Sequence, residues 1–179
     1  MPESERRPRV AGERRPATDA EARALASAVR LRILRLCLDA PLTNKELAAR
    51  LDRNPATVLH HVRTLVDTGF LAAEPARRGT RGAREVPYRA TGKSWVLDVV
   101  DPVQGRAQAN ALVATFVEDA TRVGFDNVDG TRAGLRLTAD EREELGRRLY
   151  ELVEEFRHRS SDGEPWSLFI GLHRDDRPV

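Results

Sequence analysis

The chain has 179 residues, with 30 Lys and Arg against 28 Asp and Glu, 40% hydrophobic residues, 5% aromatic ones and a net charge of +2. No apolar run reaches the roughly eighteen residues a membrane span needs, and the opening Met1-Pro-Glu-Ser-Glu-Arg-Arg-Pro lacks the apolar core of a secretory leader, so the sequence argues against both. The single cysteine, Cys37, closes no intrachain disulfide and builds no thiolate cage alone, which makes the cytoplasm the expected compartment.

The small net charge hides an asymmetry. Residues 1–95 hold 19 Lys and Arg against 11 Asp and Glu, net +8, whereas residues 96–179 hold 11 against 17, net −6. A cationic half suits a polyanion such as nucleic acid, and an anionic half is kept off that polyanion for another task.

In chain order, residues 1–17 carry Arg6, Arg7, Arg9, Arg14 and Arg15 with three prolines and little apolar bulk, the composition of a disordered basic tail. Thr18-Asp-Ala-Glu21 has capping-box spacing and opens an alanine-rich helix. The next helix, with Leu31, Ile33, Leu34, Leu36 and Leu38, is close to apolar all round and is expected to be buried. Thr43-Asn-Lys-Glu46 is a second capping box, before a short helix with Leu47, Ala48 and Leu51 on one face. Asp52-Arg53-Asn54 makes a turn. Asn54 as N-cap and Pro55 at the first helical position then start a helix that runs through Val58, Val62 and Leu65 to Gly69, a left-handed stop. Phe70-Leu-Ala-Ala and Val86-Pro-Tyr-Arg-Ala-Thr read as strands joined by an arginine-rich, glycine-loosened hairpin.

After Trp95 the character changes. Asp101-Pro-Val-Gln caps a helix striped by Leu112, Val113, Phe116, Val117, Ala120 and Val123 and ended by Gly124. Residues 134–138 alternate like a short strand, Thr138-Ala-Asp-Glu141 caps a helix striped by Leu145, Leu149, Leu152, Val153 and Phe156, and residues 166–173 read as a closing strand. No repeat of solenoid period is present.

Two short helices, a three-residue polar turn and a basic hairpin suit duplex DNA. The second helix fits the major groove, and Arg77, Arg78, Arg81 and Arg84 on the hairpin reach flanking phosphates or the minor groove. At 100° per residue from Pro55, the apolar positions of that helix fall between about 280° and 40°. The opposite face centres on Thr57, His60 and Thr64, the expected base readers. Ala56 suits a thymine methyl, and His61 and Arg63 flank toward the backbone. Thr43, Asn44 and Lys45, at a helix start, are placed for phosphate.

The stretch from Leu25 through Arg35-Leu36, then Leu42-Thr-Asn-Lys-Glu-Leu-Ala, then residues 55–71 ending in Thr68-Gly-Phe-Leu, resembles the winged-helix repressors of the ArsR type, over about residues 18–93. The resemblance implies a homodimer on operator DNA, with residues 94–179 as the extension of a non-metal branch. Metal-sensing members carry cysteines where residues 44–51 have none, and a dimer-helix site where residues 95–125 contain no histidine. His60 and His61, 100° apart, do not chelate one ion, and Cys37 reads as a small buried hydrophobe. No metal or other cofactor is therefore expected.

The fold class expected is mainly α with a small β-wing: a disordered tail over 1–17, a winged helix-turn-helix DNA-binding domain over 18–93, and a dimerisation helix with a small α/β region over 94–179. The dimer face is Leu112, Val113, Phe116, Val117 and Ala120, since two-fold symmetry sets two reading helices one DNA turn, roughly 34 Å, apart. A small-molecule or protein effector belongs to the C-terminal region. A protein-interaction module without DNA binding is the alternative on the same fold. An enzyme ranks last, because the acids at Asp140–Glu144 and at Glu154 and Glu155 are explained by capping and solvation, and neither nucleophile with base nor phosphate loop is found.

Overall fold

The computed structural model describes residues 14–78, 82–159 and 162–175. The described residues fall into two compact units, one ending at Asp119 and the other beginning at Ala120.

Four helices build the core of the first unit. Helix α1 (Asp19–Leu25) opens with both bonds of the expected capping box: Glu21 N donates to Thr18 Oγ1 at 3.3 Å and Thr18 N to Glu21 Oε2 at 2.8 Å. Helix α2 (Ala28–Leu36) buries Ile33 and Leu34 but leaves Arg35 exposed and Leu31 and Leu36 half-buried, so it is not buried all round, and Leu38 lies beyond its end and is exposed. After β2 (Leu42–Thr43), helix α3 (Asn44–Leu51) turns through Asp52, in the left-handed region at φ 50°, into helix α4 (Pro55–Asp67). Short polar residues tolerate that backbone region. Leu25, Ile33, Leu47, Val58, Val62, Leu65 and Phe70 meet in one cluster at no more than 1% exposure. Burial on that scale stabilises by about 1.5–3 kcal/mol per large side chain, which holds α4 by one face only.

The wing follows. Strands β3 (Leu71–Ala73), β4 (Arg77–Arg78), β5 (Arg84–Glu85) and β6 (Pro87–Ala90) build two antiparallel sheets, β6 pairing with both β2 and β3 in one, and β4 with β5 in the other. Leu42 faces Tyr88 and Leu71 faces Ala90. Gly69, at φ +73°, makes the tight exit from α4 that its position demands.

One correction concerns the basic tail. Residues 14–17 are part of the fold: β1 (Arg15–Pro16) pairs in parallel with β7 (Leu97–Asp98), and Ala17 N donates to Asp98 O at 2.8 Å. A charged, proline-bearing segment finds a place here because the buried carboxylate of Glu21 receives Arg15 at 2.6 Å and Lys93 at 2.7 Å. Residues 1–13 lie outside the described residues.

Helix α5 (Pro102–Val123) starts on Asp101, whose Oδ1 accepts from Gln104 N at 2.8 Å, and ends at Gly124. In the second unit, α6 (Ala139–Arg157) opens with the third capping box, on Thr138 and Glu141, and carries surface ion pairs such as Arg147–Glu151 at 2.9 Å. The strands expected at 134–138 and 166–173 do not form; among the described residues no strand follows Asp98. Alternation marks a segment that fits a sheet, but a ladder also needs an adjoining edge. Leu135, Leu137, Trp166, Leu168, Ile170 and Leu172 accordingly remain exposed, as do Leu152 and Phe156 on α6. Residues 131–135, 137–139, Arg142 and 171–175 line an open cleft of about 910 Å³.

Candidate nucleic-acid interface

Helix α4 is amphipathic in the sense needed to read a groove. Val58, Val62 and Leu65 are fully buried, while Ala56, Thr57, His60 and Arg63 are exposed and Thr64 is half-buried. Asn54 Oδ1 accepts from Ala56 N at 2.8 Å, which fixes the helix start where the outer face begins. From Pro55 to Val66 the helix holds no carboxylate.

His61 differs from its neighbour. It is half-buried, its Nδ1 is enclosed without a hydrogen-bond partner, and burial followed by the charges of Arg30, His60 and Arg53 holds its pKa below the usual 6.5. A neutral, partly covered ring at the edge of the face is less available to a base than His60.

The residues at the start of α3 separate into two kinds. Thr43 is 2% exposed, its hydroxyl accepts from Glu46 N at 3.2 Å, and its own N–H goes to Glu46 Oε2 at 2.7 Å. Capping occupies this side chain, so the phosphate contact expected of it is corrected to an internal role. Asn44 is half-buried and donates from Nδ2 to Pro55 O at 3.0 Å, tying the start of α3 to the start of α4. Lys45 is exposed, and with Arg53, absent from the sequence-based set, it flanks a depression between α3 and α4.

On the wing, Arg78 and Arg84 are exposed opposite each other in the β4–β5 ladder. Arg77 differs: its Nη2 lies 2.8 and 2.9 Å from the two oxygens of Glu46, so a phosphate has to compete with a carboxylate for it. Arg81 falls outside the described residues.

A second unforeseen contact lies at the far end of α4. Lys93 Nζ donates to Thr68 O at 2.6 Å, sits 5.4 Å from the centroid of the Phe70 ring and pairs with Glu21. An ammonium group at a helix C-terminus satisfies a free carbonyl and opposes the helix dipole. A separation of 25 positions along the chain hides this pairing from any local reading.

Of the expected dimer face, Leu112, Val113, Phe116 and Val117 are 38–51% exposed on α5, whereas Ala120 is 4% exposed and does not belong to that open surface. Among the described residues no three His, Cys, Asp or Glu side chains converge to hold a metal, and no helix is long and apolar enough to cross a membrane.

Helices α2, α3 and α4 of the core, a short turn between α3 and α4, and a β-hairpin after α4 define the winged helix-turn-helix fold. Residues 25–73, from the end of α1 to the end of β3, match a family model described as a helix-turn-helix domain. Among solved structures the chain is similar to reduced HlyU of Vibrio cholerae N16961, at 21% identity and TM-score 0.34 over 58% of this chain and 84% of that one. It is also similar to TA0346 of Thermoplasma acidophilum, at 21% identity and TM-score 0.38 over 60% and 99%. A further likeness is to wild-type ZitR of Lactococcus lactis in complex with DNA, at 22% identity and TM-score 0.33 over 72% and 74%. No curated protein matches the chain.

Proposed function

We propose that the protein is a sequence-specific regulator of transcription that binds double-stranded DNA as a homodimer, a repressor of the ArsR type without a metal. The observation that carries this reading is the outer face of α4: Ala56, Thr57, His60 and Thr64 point away from a core that holds the helix from behind, with no acid among them. In the proposed complex α4 lies in the major groove, His60 and Thr64 meet base edges, and Lys45, Arg53, Arg63, Arg78 and Arg84 meet phosphates. Repression is the sign that the resemblance in sequence implies, and the cytoplasm is the compartment that goes with it.

The exposed apolar face of α5 supports the dimer. Leu112, Val113, Phe116 and Val117 form a patch that a second copy would cover, with each copy presenting the same surface. We assign effector binding, by a small molecule or a protein, to residues 94–179, which include the open cleft at 131–135, 137–139, Arg142 and 171–175.

Selection from a random duplex library tests the reading. The expected product is an inverted repeat with half-sites one helical turn, about 10 base pairs, apart. Recovery of no preferred sequence would favour a protein-interaction module on the same fold.

A further inference from the structure

Arg32 is the one cation buried in the described part of the first unit, with its side chain 8% exposed. It stands on α2 beside Ile33 and Leu34, which pack in one cluster with Val58, Val62 and Leu65 of α4. Its guanidinium reaches across to α5, where Nη1 bonds Glu118 and Nε lies 3.8 Å from Asp119 Oδ1. Burying a charge is costly, and a buried ion pair adds less stability than an apolar pair of the same shape; its well-attested use is to fix one arrangement among several.

The side of α5 that Arg32 holds is the informative feature. At 100° per residue, Leu112, Val113, Phe116 and Val117 span an arc of about 140°, and Glu118 falls about 170° from the middle of that arc. One helix thus shows its apolar face outward and is held from behind at Glu118, with Asp119 paired to the same guanidinium on the flank, about 90° from the middle of the arc. A planar guanidinium with several N–H groups resists rotation of the helix in a way that smooth apolar contact does not.

We propose that Arg32 is a positioning residue that locks the rotation of α5 against the reading head and so sets the distance between the two α4 helices of the dimer. This inference rests on the dimeric, DNA-binding reading given above. The path is short and continuous: α4 packs on α2, Arg32 joins α2 to Glu118, and the face of α5 opposite Glu118 meets the second copy. Arg32 touches no DNA, and its effect is on operator spacing rather than on base preference.

Two variants probe the joint from its two ends. Arg32→Met removes the buried charge and leaves two acids that retain access to water, and the pair Glu118→Gln with Asp119→Asn keeps hydrogen-bond acceptors but removes the charge. Each full-length protein is titrated with duplexes carrying one half-site, and with duplexes carrying two half-sites at spacings from about 9 to 12 base pairs. The wild type is expected to prefer one spacing sharply. The variants should keep half-site affinity within about twofold, lose about tenfold on the best two-site duplex and respond evenly to spacing, because tethering helps only where the geometry fits.

Equal losses on one-site and two-site duplexes would make Arg32 a purely structural residue, and an unchanged spacing optimum would also overturn the proposal. Electron spin resonance distances between labels on Asp67→Cys in the two protomers supply a readout without DNA. One narrow distance in the wild type that broadens in the variants is the expected result; equal widths contradict the joint while leaving the dimer intact. A monomeric wild type would remove the dimer and the joint together.

Discussion

Charge on a side chain predicts DNA contact only after its existing partners are known. Arg78→Ala and Arg84→Ala should each lower affinity for every duplex and flatten the dependence on salt by about one unit in log–log slope, because each removes one phosphate contact. Arg77→Ala should change the slope less, since Glu46 already neutralises that guanidinium. Salt titrations by fluorescence anisotropy separate the three. His60→Ala should alter base preference at one position of the half-site in a library selection, and an unchanged preference would remove His60 from the readers. Cys37 lies inside the core, and burial pushes its thiol up to about 11. It should therefore stay unmodified by a thiol-specific chromogenic reagent at neutral pH until the fold is opened by denaturant. A stoichiometric reaction of the native protein would contradict the packing around α2.

At the scale of elements, most helix starts are legible because capping is local chemistry. Thr18, Thr43 and Thr138 each stand three residues before a glutamate, and each forms both bonds of the box. Thr43→Ala should cost about 1 kcal/mol in denaturant unfolding and move the start of α3. What the sequence leaves hidden is contact across distance. Lys93 on the end of α4, Lys93 on Glu21 and Arg32 on Glu118 each join residues whose identity alone names no partner. The strands expected at 134–138 and 166–173 fail for the complementary reason: an alternating pattern shows which segment fits a sheet, but no edge in the described residues receives it.

These elements also fix the response to acid. Hydrogen bonding from Arg15, followed by Lys93 and Thr18, holds Glu21 well below the usual carboxylate range; Thr43 lowers Glu46, with Arg77 assisting, and Thr138 lowers Glu141. A carboxyl group with a depressed folded pKa stabilises fully above its ordinary value of 4.5 and loses that contribution as pH falls toward the folded value. His61 acts in the same direction, since its lowered pKa lets the unfolded chain take up the proton first, below about 6.5. Thermal unfolding should show little change from pH 8 to 7, a shallow fall below 6.5 and a steep one below 4.5. The steep part should weaken in Glu21→Gln, which is also expected to be less stable at neutral pH.

For the whole molecule, the proposed function gives DNA to the basic half and dimerisation to the acidic half. The reading head is held together by its own core, whereas the apolar faces of α5 and α6 are left largely uncovered in a single chain. A dimer formed through α5 would be independent of DNA, and sedimentation of the wild type should give twice the chain mass. Val113→Glu with Val117→Glu should give a folded monomer, because both positions are exposed in one copy. The monomer should retain weak binding to a single half-site and lose the gain from the second.

Fluorescence anisotropy of the full-length protein tests the central claim most directly, with the duplex upstream of its own gene and a scrambled duplex of equal length measured across a salt series. The account predicts tight binding to the first, weaker binding to the second, and a steep linear fall of log affinity with log salt for both. Equal, weak binding to both duplexes, together with no sequence recovered from a random library, would contradict it.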